Sequence, residues 1–131
     1  MLNLVKNPAG FRLVLQSARD DLPTLFAIND AYADGRDVSW LYDVNFAKFA
    51  QNSRLFSTGK RAFDMTLRLI FDGAKNVKTE SEIARALGDF LAQKSEKLQI
   101  FATYTAMLEL RKILKSRSEN ARENREKEPR K

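Results

Sequence analysis

The residues best able to do chemistry lie together in the string Asn29-Asp30-Ala31-Tyr32-Ala33-Asp34-Gly35-Arg36-Asp37. Its three carboxylates and one guanidinium could orient a base, hold a divalent cation or pair with one another. The same composition also describes a solvated turn, in which Asp and Asn side chains satisfy nearby backbone groups. Cation binding is the weaker reading, because the acids follow no regular ligand spacing. Trp40, Tyr42 and Phe46 follow directly, and they form either a partner surface or the core packing that anchors the loop. Two further polar stations stand apart. Lys6-Asn7-Pro8-Ala9-Gly10 could present backbone amides to an anion at a helix start, or simply cap it. Thr103-Tyr104-Thr105 carries hydroxyls that could meet a ligand or cap the helix that follows.

Other chemistry is excluded. With no Cys there is no disulfide, thiolate metal site or thiol nucleophile. With no His the commonest general base and metal ligand is missing. A self-contained Cys-His or Ser-His-Asp hydrolase is therefore ruled out. Ser57-Thr58-Gly59-Lys60 resembles part of a phosphate loop. It lacks the upstream glycine, and Arg61 stands where Ser or Thr should follow the lysine, so it reads as a turn. The net charge of +6 raises nucleic acid as a partner. The tail argues against it, because residues 115–131 carry seven basic and four acidic side chains and no aromatic that could stack on a base. No apolar run is long enough to span a membrane and no secretion signal opens the chain, so the expected location is the cytoplasm.

The elements that must position these groups follow from the apolar pattern. Pro8 suits the first turn of a helix capped by Asn7, with Phe11, Val14, Leu15 and Ala18 at helical spacing. Residues 23–28, 53–56 and 98–102 read as short strands, and 38–46 as a strand or a short helix. Residues 62–71 read as a helix through Phe63, Leu67 and Ile70, stopped at Gly73. Thr79 followed by Glu82 predicts a capping box opening a helix to about Gln93. A last helix begins near Tyr104, with an apolar stripe through Met107, Leu110 and Leu114. Alternating strands and helices predict one α/β domain over residues 1–115, with a mainly parallel sheet, and a charged, disordered tail at 116–131. In such sheets functional groups gather at the carboxyl ends of the strands, where the loops around Asn7, Asp34 and Thr103 should meet.

The string DGRDVSWLYDVNF at residues 34–46 closely resembles the signature of the C-terminal domain of MurT-like Mur ligases. KNPAG at 6–10, TGKRAFDMTLRL at 58–69 and FATYTAMLELRKIL at 101–114 resemble the same family in the same order, so the resemblance covers residues 2–114. KNPAG alone also resembles the Asn-Pro turn of folylpolyglutamate synthetases, which share the Mur ligase architecture; the 34–46 string argues for MurT. The resemblance implies a Rossmann-like domain of the synthetase subunit of a glutamine-dependent amidotransferase. That enzyme converts the D-glutamate α-carboxyl of lipid II to D-isoglutamine in peptidoglycan biosynthesis. ATP with Mg activates the carboxylate as an acyl phosphate, and ammonia from a GatD-like glutaminase displaces the phosphate. In the family the ATP loop and a Cys-rich zinc ribbon belong to a central domain, so ATP and Mg are expected to be bound mainly outside this chain. The C-terminal domain is implied to close over the ATP site and help dock the glutaminase.

One residue role is implied as well. The family's DNAADG-type loop places a catalytic aspartate just before its glycine, and Asp30-Ala31-Tyr32-Ala33-Asp34-Gly35 matches it with Asp34. The resemblance implies that Asp34 completes the Cys-His pair of the glutaminase across the subunit interface, as the third member of a triad orients and stabilises its imidazole. Lys6, Asn7, Asn29, Asp30, Arg36, Asp37, Trp40, Thr103 and Thr105 are the candidates to face ligand or partner. The chain departs from the family pattern at Ala31 and Tyr32, at Tyr42 where Trp is common, and at Asp72 where a small residue is frequent. The chain alone is not expected to be active. The alternative is a non-catalytic module that binds a GatD-like glutaminase.

Overall fold

Three runs of four residues with every side chain buried, Thr24–Ala27, Leu55–Thr58 and Gln99–Ala102, form the middle of a five-stranded sheet. The computed structural model describes residues 2–5, 8–31, 34, 39–95 and 97–127, without the side chains of Pro8, Trp40 and 124–127. In chain order the strands are β1 (Leu2–Leu4), β2 (Thr24–Ala27), β3 (Leu55–Thr58), β4 (Val77–Glu80) and β5 (Gln99–Ala102). Their spatial order is β1-β5-β2-β3-β4, and every pairing is parallel. Strands inside a parallel sheet are covered on both faces, which is why even the polar Thr24, Ser57, Thr58 and Gln99 are buried in them.

The pleat sends successive side chains to two cores. Phe26, Ile28, Leu55 and Phe101 face one side, where α1 (Pro8–Ser17), the 3₁₀ helices Ser39–Asp43 and Ala47–Phe49, and α2 (Ala62–Phe71) cover them. Phe26 is the hub of this core, its ring centroid 5.5 Å from Phe49 and Phe101 and 5.8 Å from Phe46. Each such pair adds roughly 0.5–1.5 kcal/mol beyond the area it buries. Leu25, Ala27, Phe56 and Ile100 face the other side and pack under α3 (Ile83–Leu91) and α4 (Tyr104–Lys127). The α/β architecture with a parallel sheet flanked by helices is the one the sequence predicts.

Four local expectations are corrected. Thr79 caps no helix: it lies in edge strand β4, paired in register with Ser57, and its hydroxyl meets that of Thr66 at 2.6 Å. Glu82 itself takes the N-cap position of α3 and makes no side-chain cap bond. The ladder to β3 supplies the backbone hydrogen bonds that a local cap would otherwise compete for. In α2 the helical period holds but the buried face differs. Ala62, Met65, Arg68 and Leu69 turn inward, while Phe63, Leu67 and Ile70 are exposed, as is Phe71 at 81%. Residues 39–43 take the short-helix alternative as a 3₁₀ helix, whereas β3 starts at Leu55 rather than at residue 53. The last helix runs through the charged segment as far as Lys127, with residues 115–123 exposed throughout.

Candidate functional site

Neighbouring strands β2 and β5 end side by side, Ala27 opposite Ala102, and then part. The chain leaving β2 reaches the Phe26 face, whereas β5 continues into α4 on the opposite face. Where adjacent parallel strands send their connections to opposite faces, a crevice opens at their carboxyl ends, and it is the usual ligand position in such sheets. Asn29, Asp34, Thr103 and Thr105 all meet there.

The N-terminus of α4 requires acceptors for its first N–H groups. Thr103 stands in the N-cap position, yet its hydroxyl is turned away: Thr103 Oγ1 accepts the backbone N–H of Asn29 at 2.9 Å. Asp34, from the loop after β2, takes over the capping. Its Oδ1 accepts the Thr105 N–H at 2.7 Å, and its Oδ2 accepts the Thr105 hydroxyl and, at 3.1 Å, the Ala31 N–H. A negative carboxylate against a helix N-terminus is stabilised by the helix dipole as well as by these bonds. The turn is closed by Asp34 N donating to Ala31 O at 2.9 Å.

Asn29, buried at the end of β2, links this cap to the next loop. Its Oδ1 accepts the Lys60 N–H at 2.9 Å, and its Nδ2 donates to Thr105 Oγ1 at 3.1 Å. Gly59 makes this approach possible. Its φ is +95°, and a β-carbon there would lie 2.5 Å from Ile28 O and 2.8 Å from Asn29 Oδ1. Asp30 pairs with Arg61, Oδ2 to Nε 2.9 Å, and Arg61 also reaches Asp64 at 3.4 Å.

The loop around Ser57-Thr58-Gly59-Lys60 does not fit a nucleotide phosphate. A phosphate loop points successive backbone N–H groups at its anion. Here Gly59 N donates to Ser81 O, Lys60 N to Asn29, Arg61 N to Ile28 O and Ala62 N to Gly59 O. The Arg61 guanidinium is engaged by two acids, and among the described residues no group of three acidic side chains could hold a metal ion. Ser57 and Thr58 close β3, and the turn the sequence predicts is confined to Gly59 and Lys60.

A second network fixes the 3₁₀ helix of the 34–46 string. Arg68 of α2 is buried, donating through Nε to Leu41 O at 2.9 Å and through Nη2 to Val44 O. Its Nη1 lies 2.9 Å from Asp72 Oδ1 as an ion pair, and Asp72 Oδ2 accepts the Phe46 N–H at 2.6 Å. The guanidinium also lies 5.5–5.8 Å from the rings of Tyr42, Phe46 and Phe71. Asp72 thus has definite structural partners in Arg68 and the Phe46 N–H.

The candidates therefore divide. Asn29, Asp34, Thr103 and Thr105 come together; Asp30 lies beside them but is tied to Arg61. Phe46 is core and Tyr42 is 59% exposed, so the aromatic cluster is neither wholly core nor wholly surface. Lys6, Asn7, Arg36, Asp37 and the Trp40 side chain lie outside the described residues. Sequence reasoning names Asp72 only as a departure within the resemblance and does not single out Arg68, although an Arg on the same helical face as Met65 and Leu69, with an acid four residues on, carries the signal.

Residues 4–107 match the family described as MurT ligase C-terminal. The chain is 40% identical over 74 residues, 53% of its length, to the lipid II isoglutaminyl synthase (glutamine-hydrolyzing) subunit MurT of Staphylococcus aureus strain COL, 17% of which is covered. It is 32% identical over 124 residues, 88% of its length, to the subunit of the same name from Streptococcus pneumoniae strain ATCC BAA-255 / R6, 28% of which is covered. The chain thus spans less than a third of the length of these relatives.

Proposed function

The chain belongs to the MurT ligase C-terminal family, and from that premise we propose that it serves a glutamine-dependent ligase that amidates lipid II. In this reading its part in the reaction is a carboxylate, Asp34, lent to a GatD-like glutaminase subunit. The observation that carries it is the half-buried Asp34 carboxylate at the β2–β5 crevice, held in one orientation by three donors from its own chain.

The chemistry then runs as follows. A cysteine thiolate of the partner attacks the glutamine amide, the partner's imidazole gives its proton to the departing ammonia, and water hydrolyses the thioester to glutamate. Asp34 accepts the other ring N–H, which selects the tautomer and stabilises the imidazolium while it is charged. A chain with neither Cys nor His contributes to catalysis in this way without a nucleophile or base of its own. The exposed apolar side chains of α2, Phe63, Leu67, Ile70 and Phe71, are proposed to help dock the glutaminase. ATP-site closure by the domain and a cytoplasmic setting belong to the same proposal. Among the described residues no helix is long and apolar enough to cross a membrane. A second reading, a docking module without a catalytic part, draws support from the use of Asp34 as a helix cap.

Asp34→Asn, tested in the complete synthetase with its glutaminase, separates the two. The asparagine puts an amide donor against Ala31 N–H and the Thr105 hydroxyl, so a stability loss of about 1 kcal/mol is expected. Synthesis from glutamine should fall by roughly 10² or more, while synthesis from added ammonia stays near wild type. Equal loss from both nitrogen sources would move Asp34 into the synthetase site. No loss from either would leave the docking module.

A further inference from the structure

One of the donors on Asp34 exceeds what a helix cap needs. A capping side chain requires only a backbone N–H, which Thr105 N supplies at 2.7 Å. Asp34 receives the Thr105 hydroxyl as well, and that hydroxyl ends a directed chain. An ionised carboxylate only accepts, so Thr105 Oγ1 donates to Asp34 Oδ2 and accepts from Asn29 Nδ2 at 3.1 Å. The Asn29 amide is oriented in turn by Lys60 N–H, 2.9 Å from its Oδ1. All the donors point toward the carboxylate, an arrangement in which each bond polarises the next. The outcome differs for the two oxygens. Oδ2 receives both Thr105 Oγ1 and Ala31 N, whereas among the described residues Oδ1 receives Thr105 N alone.

We propose that Thr105 is a positioning residue for the glutaminase reaction: with Asn29 behind it, its hydroxyl fixes the Asp34 carboxylate plane so that Oδ1 faces the partner's imidazole N–H. This rests on the reading of Asp34 as the partner's third catalytic group. Thr105 itself touches neither substrate nor imidazole. Thr103 Oγ1 meets the Asn29 backbone, and Thr105 Oγ1 meets the Asn29 and Asp34 side chains.

The test is Thr105→Val, which keeps the side-chain shape and the capping N–H but removes the hydroxyl, beside Thr105→Ser, which keeps the hydroxyl. Both are assayed in the complete synthetase with its glutaminase, alone and combined with Asp34→Asn. The expected result for T105V is a kcat with glutamine lowered about tenfold, as for one lost hydrogen bond to a charged group, with KM for glutamine and the ammonia-driven rate unchanged. T105S should recover to within about twofold, and T105V should add nothing in the Asp34→Asn background, since groups acting as one unit are not additive. Equal loss with ammonia, equal loss in T105S, or full additivity with Asp34→Asn overturns the proposal. Wild-type glutamine use by T105V beside a defective Asp34→Asn overturns it and leaves the reading of Asp34 standing. Wild-type glutamine use by Asp34→Asn overturns both.

Discussion

Two buried carboxamides stand at opposite ends of the same sheet, and they do different things. Gln99 opens β5 at the amino edge, where its Oε1 accepts Arg19 N–H at 3.2 Å and its Nε2 donates to Arg19 O and, at 2.8 Å, to Thr24 Oγ1. Apart from the Thr24 hydroxyl these partners are main chain, so the amide pins the segment just after α1 to two strands. Asn29, at the carboxyl edge, donates into a hydroxyl that passes the bond on to a half-buried carboxylate. Burial and residue type alone do not tell the two apart. The difference lies in where the chain of donors ends: in backbone at one edge, and at the other in a charged acceptor with capacity left over among the described contacts.

Variants at the two edges can break or sharpen this contrast. Gly59→Ala should be the most damaging, by about 4 kcal/mol, because the new methyl meets Ile28 O and Asn29 Oδ1 at a backbone angle that side chains avoid. Thermal unfolding measures it, and a loss under ~1 kcal/mol would mean that the β3–α2 turn yields easily. Arg68→Ala should cost about 3 kcal/mol by stranding Asp72 and freeing Leu41 O and Val44 O. Gln99→Ala and Asn29→Ala form the matched pair. Each should lower stability by about 2 kcal/mol through lost buried hydrogen bonds. Per folded molecule, only Asn29→Ala should lower glutamine-dependent synthesis in the assembled enzyme. Equal activity of the two would erase the distinction between the edges. Smallest of all, removal of residues 118–131 should change stability by under ~0.5 kcal/mol, since residues 118–123 are exposed. A large fall in melting temperature would show that the end of α4 is a docked element.

Much of this could be read from residues. Strands β2 and β5 announce themselves within the apolar runs 23–28 and 98–102, and Pro8, Gly73 and the Met107-Leu110 stripe mark helix limits and faces. Strand β4 escapes because Val77-Lys78-Thr79-Glu80 is an edge with no apolar run, and its Thr79 imitates a helix cap. The buried face of α2 is misread because both of its faces are apolar, and an inward Arg reverses the usual preference. At the site, the loop composition and the family string point to Asp34, Asn29, Thr103 and Thr105. That the two threonine hydroxyls turn inward is not legible, since their partners lie 71 to 76 residues away in the chain. Only the parallel register of β2 and β5 brings them together.

The most direct measurement is the glutaminase half-reaction itself: glutamate released from glutamine by the assembled complex, with no lipid II present. Asp34→Asn is compared with Asp30→Asn, whose carboxylate is already engaged by Arg61. The account predicts that the Asp34 variant, with its subunits still associated, releases glutamate at roughly 1% of the wild-type rate or less, and that the Asp30 variant stays within a fewfold of wild type. Undiminished release from the Asp34 variant, or a larger defect at Asp30, would contradict it.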